Sequence, residues 1–129
     1  MAELTRQDII KLVAVGCRSI CLRGVDLSGL DLSYLDLSEA GLFNANLAGA
    51  NLTSAVLRRA ELVGANLTNA NLSQSDLNQA TLCGAMLLGT NLTESICDGA
   101  DFNGVQTNAA TIWPEAFDSR QFDLVIEPD

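Results

Sequence analysis

Leucine recurs at every fifth residue from position 22 to position 92, fifteen times without a gap. The series is Leu22, Leu27, Leu32, Leu37, Leu42, Leu47, Leu52, Leu57, Leu62, Leu67, Leu72, Leu77, Leu82, Leu87 and Leu92. An α-helix returns to one face after 3.6 residues and a strand after 2, so neither accounts for this spacing. A five-residue period calls for a chain that turns a corner in every unit, and a repeat of this kind governs the whole fold.

Two residues before each leucine lies a second regular position. It reads Ala40, Ala45, Ala50, Ala55, Ala60, Ala65 and Ala70, then Ser75, Ala80 and Ala85. The residue between is often acidic or an amide, as at Asp26, Asp31, Asp36, Asn46, Asn51, Asn66, Asn71, Asp76, Asn91 and Asp101. The unit is therefore Ala-(Asp/Asn)-Leu-x-x: two inward residues, as in a very short strand, and then a corner. One small and one medium side chain per unit fill a narrow shaft. That suits a chain 48% apolar but only 5% aromatic. Past residue 92 the same frame places Cys97, Phe102, Thr107 and Ile112 inward, and Phe102 joins the leucines in the core stack.

The fifth position of each unit sets the number of units per coil. Glycine or asparagine recurs there in two columns of every four, as at Gly24, Asn44, Gly64 and Gly84, and at Gly29, Gly49, Asn69 and Gly89. These residues accept the positive φ that the third residue of a type II turn needs. A twenty-residue coil with four sides follows, with two corners of type II and two of another kind. Ser33, Thr53, Ser73 and Thr93 form one column in the same phase.

These units resemble the pentapeptide repeat family over residues 20–112. The resemblance implies an all-β solenoid, a right-handed quadrilateral β-helix. At about 4.5 coils and ~4.8 Å per stacked strand the rod is ~22 Å long. The chain departs from the pattern at Val56, Met86 and Ile96, where the polar position is apolar, and at Cys97, which replaces a leucine.

Both ends of a solenoid need covering. Residues 1–19 read as an N-terminal capping α-helix and linker, with Thr5 as N-cap, Asp8 three residues on and Gly16 as the stop. Ile9, Leu12 and Val13 share one helical face, and Ile20, Val25, Leu30 and Leu35 widen the first coil beneath it. Residues 113–129 read as an irregular C-terminal cap and tail. Trp113-Pro114 breaks the ladder, Trp113, Phe117, Phe122 and Leu124 fold over the last coil, and the closing VIEPD is loose.

The chain has no histidine, which removes His-based triads and the usual zinc sites. Cys17, Cys21, Cys83 and Cys97 do not converge and read as structural thiols, with a redox pair at Cys17 and Cys21 as the alternative. No phosphate-cradling glycine run occurs, and Asp26, Asp31 and Asp36 fall on three different faces. The expectation is a non-enzymatic chain with no catalytic residue, metal or cofactor. Its mixed-charge start is not a signal peptide, and no stretch is long and apolar enough to span a membrane. A soluble, cytoplasmic chain is expected, a monomer or weak homodimer.

A net charge of −9 repels nucleic acid. The leading reading is a rigid protein-interaction module for an unidentified protein partner. The candidate stripe is Phe43, Val63 and Cys83 on the first face, with Met86 and Leu88 on the second. Arg59 is expected to pair with Glu39 one coil below.

Two alternatives stand beside it. Some members of the family resemble duplex DNA and occupy the DNA groove of type II topoisomerases such as gyrase. Residues 20–109 carry nine acids and three basic residues here, a net charge per ~3.7 Å of rod, about half the density of duplex DNA. The other is lattice or ice-surface binding through the Ser33, Thr53, Ser73 and Thr93 ladder, against the plainer reading of side-chain hydrogen bonds along that column.

Overall fold

The computed structural model describes residues 4–15 and 20–128. Within them each five-residue unit contributes one bridging residue, and parallel bridges join residues twenty apart. One face climbs through Cys21, Gly41, Glu61, Thr81 and Asp101, and the next through Asp26, Asn46, Asn66, Met86 and Gln106. The third climbs through Asp31, Asn51, Asn71 and Asn91, and the fourth through Asp36, Val56, Asp76 and Ile96. The fold is a four-sided β-helix whose ladders are single-residue bridges. A corner in every unit leaves only one residue per side extended enough to bridge.

The fate of each backbone amide explains the repeat, since a buried N–H must find an acceptor. In the unit around Leu72, Ala70 N–H donates to Leu67 O across the corner (2.9 Å), and Asn71 N–H donates down to Ala50 O (3.0 Å). Leu72 and Gln74 donate up to Asn91 O (2.7 Å) and Thr93 O (2.8 Å). The remaining amide, on Ser73, has no carbonyl in reach and donates to Asn71 Oδ1 at 2.9 Å. Asp or Asn therefore stands between the two inward residues because its side-chain oxygen closes a turn on the amide two residues on. The same bond joins Ser28 to Asp26, Ser33 to Asp31, Thr53 to Asn51 and Thr93 to Asn91.

The leucines of the series and Phe102 line the axis, none more than 4% exposed. Each fully buried leucine is worth roughly 1.5–3 kcal/mol of transfer free energy. Where a hydroxyl replaces the small alanine, it is satisfied in place. Ser75, Ser95 and Thr90 donate to Leu72 O, Leu92 O and Leu67 O.

Helix α1, Arg6–Ala14, lies at the N-terminal end. Thr5 caps it with a reciprocal box to Asp8. Ile9 is buried in the core cluster, with Leu4 and Val13 packed beside it, while Leu12 is 41% exposed and turns away from the shaft. Arg6 latches the helix to the third face by donating to Asp31 O (2.8 Å) and Ser33 O (3.0 Å). The expected stop at Gly16, and Cys17 of the alternative pair with Cys21, lie outside the described residues.

The corners differ from expectation. The fifth residue of every unit from Gly24 to Gly104 has positive φ, including Tyr34 (64°), Glu39 (61°) and Arg59 (56°). All four corners are thus of the type II kind, each closed by a bond such as Ala45 N–H to Leu42 O (3.1 Å). A left-handed non-glycine residue costs about 1–2 kcal/mol. The stacked coils impose it by drawing the amide of that residue to the carbonyl above, as Glu39 N–H to Arg58 O (2.8 Å).

Ile112 also departs from its expected inward place. The last bridge of the third face joins Asn91 to Ile112, twenty-one residues on. One extra residue in the preceding corner shifts the frame, so Ile112 bridges outward, 51% exposed. The tail is not loose either. Strand β1, Gln106–Thr107, pairs in parallel with β2, Val125–Ile126, and so extends the second face by one level.

Candidate functional site

The five residues of the expected stripe are half-buried. Phe43, Val63 and Cys83 stack one coil apart at one corner, and Met86 and Leu88 flank the next side. Arg23 lies over the Phe43 ring, 5.9 Å from its centre. The bridging residues of these units are Gly41, Glu61 and Thr81, which do not form the Asx turn. The amides of Phe43 and Val63 consequently find no acceptor among the described residues. Burial, and then Asp101 beside it, raises the Cys83 thiol above its ordinary range.

The Ser/Thr column is built differently from either sequence reading. Its hydroxyls bond within their own units and not along the column: Ser33 to Asp31, Thr53 to Asn51, Ser73 to Asn71 and Thr93 to Asn91, at 2.5–2.7 Å. The expected Arg59–Glu39 pair is not formed. Arg59 reaches toward the coil above and donates to Gln79 Oε1 (3.1 Å), while Arg58 pairs with Asp76. The left-handed corner aims its side chain at the next coil, away from Glu39.

Sequence reasoning missed a groove at the C-terminal end. Its volume is about 720 Å³, and residues 95–100 of the last coil form one wall. Pro114, Glu115, Ala116, Phe117, Asp118, Gln121 and Phe122 form the other. The groove exists because the chain leaves the ladder at Pro114, which has no N–H to donate. The segment then swings over the end of the shaft. There the Phe102 ring meets Trp113, Phe117 and Phe122 edge-on at 5.4–5.5 Å, and Trp113 and Phe117 stack at 4.6 Å. The third face gains Ile112 above it and the second gains Val125, but Ile96 of the fourth has no bridge above it among the described residues.

The floor of the groove is apolar. Ile96 is 47% exposed and Cys97 half-buried. Cys97 Sγ lies 3.4 Å from Ser95 Oγ, and burial raises its thiol above the ordinary range. The rim is acidic, with Asp98, Glu115 and Asp118 all exposed. Asp118 is the one held by a cation, Arg120, which lowers its carboxyl below the usual range. Over residues 94–128 seven acids face Arg120 alone, so negative charge gathers at this end. The signals that pointed here were Pro114 and the apolar Ile96 in a position usually polar.

No group of three or more Cys, Asp or Glu side chains among the described residues could hold a metal ion. No helix among them is long and apolar enough to cross a membrane.

The family model for pentapeptide repeats matches in eight copies, over residues 20–59, 60–96 and 70–106. The chain is similar to the crystal structure of alr5209, a pentapeptide repeat protein from Nostoc PCC 7120. Identity is 34%, over 95% of this chain and 96% of that one, with a TM-score of 0.52. It is also similar to HetL, a pentapeptide repeat protein involved in heterocyst differentiation regulation in Nostoc sp. PCC 7120. Identity there is 30%, over 82% of this chain and 49% of that one, with a TM-score of 0.54. These neighbours share the right-handed quadrilateral β-helix. No curated protein sequence matches the chain.

Proposed function

The chain belongs to the pentapeptide repeat family, and from that premise we propose that it is a rigid, non-enzymatic protein-interaction module. In this reading the rod is about 4.5 coils long, with α1 over one mouth and the aromatic cap over the other. The free thiols Cys21, Cys83 and Cys97 suit a reducing compartment, and the reading assigns the chain to the cytoplasm.

One observation carries the proposal. The ladder of backbone bonds from coil to coil is continuous over the shaft, as in Leu47 N–H to Asn66 O and Leu67 N–H to Met86 O. Surface side chains are thereby held in columns of fixed spacing before any partner arrives. A preorganised surface loses little conformational entropy on binding. Affinity purification from the native host, read by mass spectrometry, tests this. A partner enriched over a scrambled-surface variant is expected; recovery of none under any condition overturns the reading.

A duplex mimic bound to gyrase would need its acids spread along the shaft. This sequence instead gathers eight of sixteen over residues 94–129. Supercoiling by gyrase is expected to proceed unchanged in the presence of micromolar protein.

A further inference from the structure

The geometry points to the groove beside residues 95–99 as the seat of one extended, basic peptide segment from a partner protein. The segment adds as the missing strand of the fourth face. This inference deepens the interaction-module reading and rests on it.

The backbone of the last coil is the first argument. One coil lower, Leu77 N–H donates to Ile96 O (2.8 Å), Gln79 N–H to Asp98 O (2.8 Å), and Ser75 O accepts from Ile96 N–H (2.9 Å). The equivalent groups one coil up are Cys97 N–H, Gly99 N–H and Ser95 O. None of the three has a partner among the described residues. Two donors and an acceptor therefore stand in the register of this repeat, facing an open groove. An extended peptide added to a sheet edge satisfies such groups with its main chain and gains selectivity from alternate side chains.

The groove supplies the rest. Its volume, about 720 Å³, lies within the range of sites that enclose sizeable ligands. A strand laid on the edge turns every second side chain inward, where Cys97, Phe117 and Phe122 offer an apolar seat. Its other side chains face Asp98 and Glu115. Neither carboxylate forms an ion pair among the described residues, and both select for lysine or arginine. A second copy of this chain is the poorer occupant, because its own C-terminal end would bring like charges together.

The test uses the full-length, ¹⁵N-labelled chain and a synthetic seven-residue peptide alternating lysine and valine. Saturable binding is expected, with amide shifts centred on Cys97 and Gly99 and exchange of those two amides slowed about tenfold or more. The double variant Asp98→Lys/Glu115→Lys alters exposed side chains only. It should keep the thermal midpoint and weaken the peptide about tenfold, roughly 1.4 kcal/mol. The same peptide with methylated backbone nitrogens keeps its carbonyls but can no longer donate to Ser95 O, and should bind more weakly.

Shifts scattered over all acidic faces, equal binding of the methylated peptide, or no effect of the double variant would each overturn the groove assignment. A native partner that the double variant retains in the affinity purification also overturns it, while leaving the interaction-module reading intact.

Discussion

The amide oxygen of Asn44 occupies the space that a side chain on Gly64, one coil above, would need. Asn69 stands in the same relation to Gly89. Every corner has positive φ, so glycine is not required by the turn itself. At these two positions it is required by the neighbour beneath. Gly84 lies in the same column as Gly64 with nothing within 4 Å of a would-be Cβ.

Gly84→Ala should therefore cost only the left-handed backbone penalty, about 1–2 kcal/mol. Gly64→Ala should cost more, because Asn44 must also move. Urea denaturation of both variants measures the difference. Asn44→Ala in the Gly64→Ala background should recover the excess and leave the backbone part. A Gly64→Ala cost equal to that of Gly84→Ala would remove the steric account.

Asn71→Ala deprives both the amide and the hydroxyl of Ser73 of their acceptor. Asn46→Ala deprives only the amide of Ala48. Each lost bond is worth on the order of 1 kcal/mol. The first variant should be less stable than the second by about that amount, read as a difference in denaturant midpoint at constant slope.

Arg6→Ala removes the latch between α1 and the third face. Hydrogen bonds from a charged donor contribute about 1.5–3 kcal/mol, less here because Arg6 is one-third exposed. The loss should be local. Amides of α1 should exchange faster, while those of Leu67 and Leu72 in mid-shaft should keep their protection. Uniform acceleration along the rod would refute the latch.

The Ser28 hydroxyl, and then its amide, hold the Asp26 carboxyl down to about 2. A folded pKa below the unfolded value of about 3.9 contributes stability that is complete above the latter. That contribution is lost as pH falls through about 2. Asp31 is shifted in the same direction, chiefly by Ser33. Urea midpoints should hold to about pH 4 and decline below it. Asp26→Asn keeps the acceptor but does not titrate, so its midpoint should fall less steeply; a parallel fall would count against this linkage.

Thiol reactivity separates core from surface. Cys21 is exposed, whereas Cys97 is half-buried with its thiol raised by that burial. Only the thiolate attacks alkylating reagents. At pH 8 Cys21 should be modified well before Cys97, as peptide mapping would show. Comparable rates would mean that burial does not protect the Cys97 thiol.

The interval between leucines by itself determined a shaft with one corner per unit, and the glycine and asparagine columns set four units per coil. Five residues close one side and no other regular structure returns a side chain at that spacing, so the architecture is readable from Leu22 onward without any contact being known. The Thr5–Asp8 box was equally local and equally legible. What only the tertiary structure decided lies where one coil acts on another or the repeat stops. Side-chain identity at the corners suggested two turn types, yet stacking imposes one conformation on Tyr34, Glu39 and Arg59 as on the glycines. Arg59 turned to Gln79 because the corner aims it upward. A single extra residue before Ile112, together with Pro114, left the fourth face without its last strand. Periodicity describes what each unit shares, and the groove arises where the chain ceases to share it.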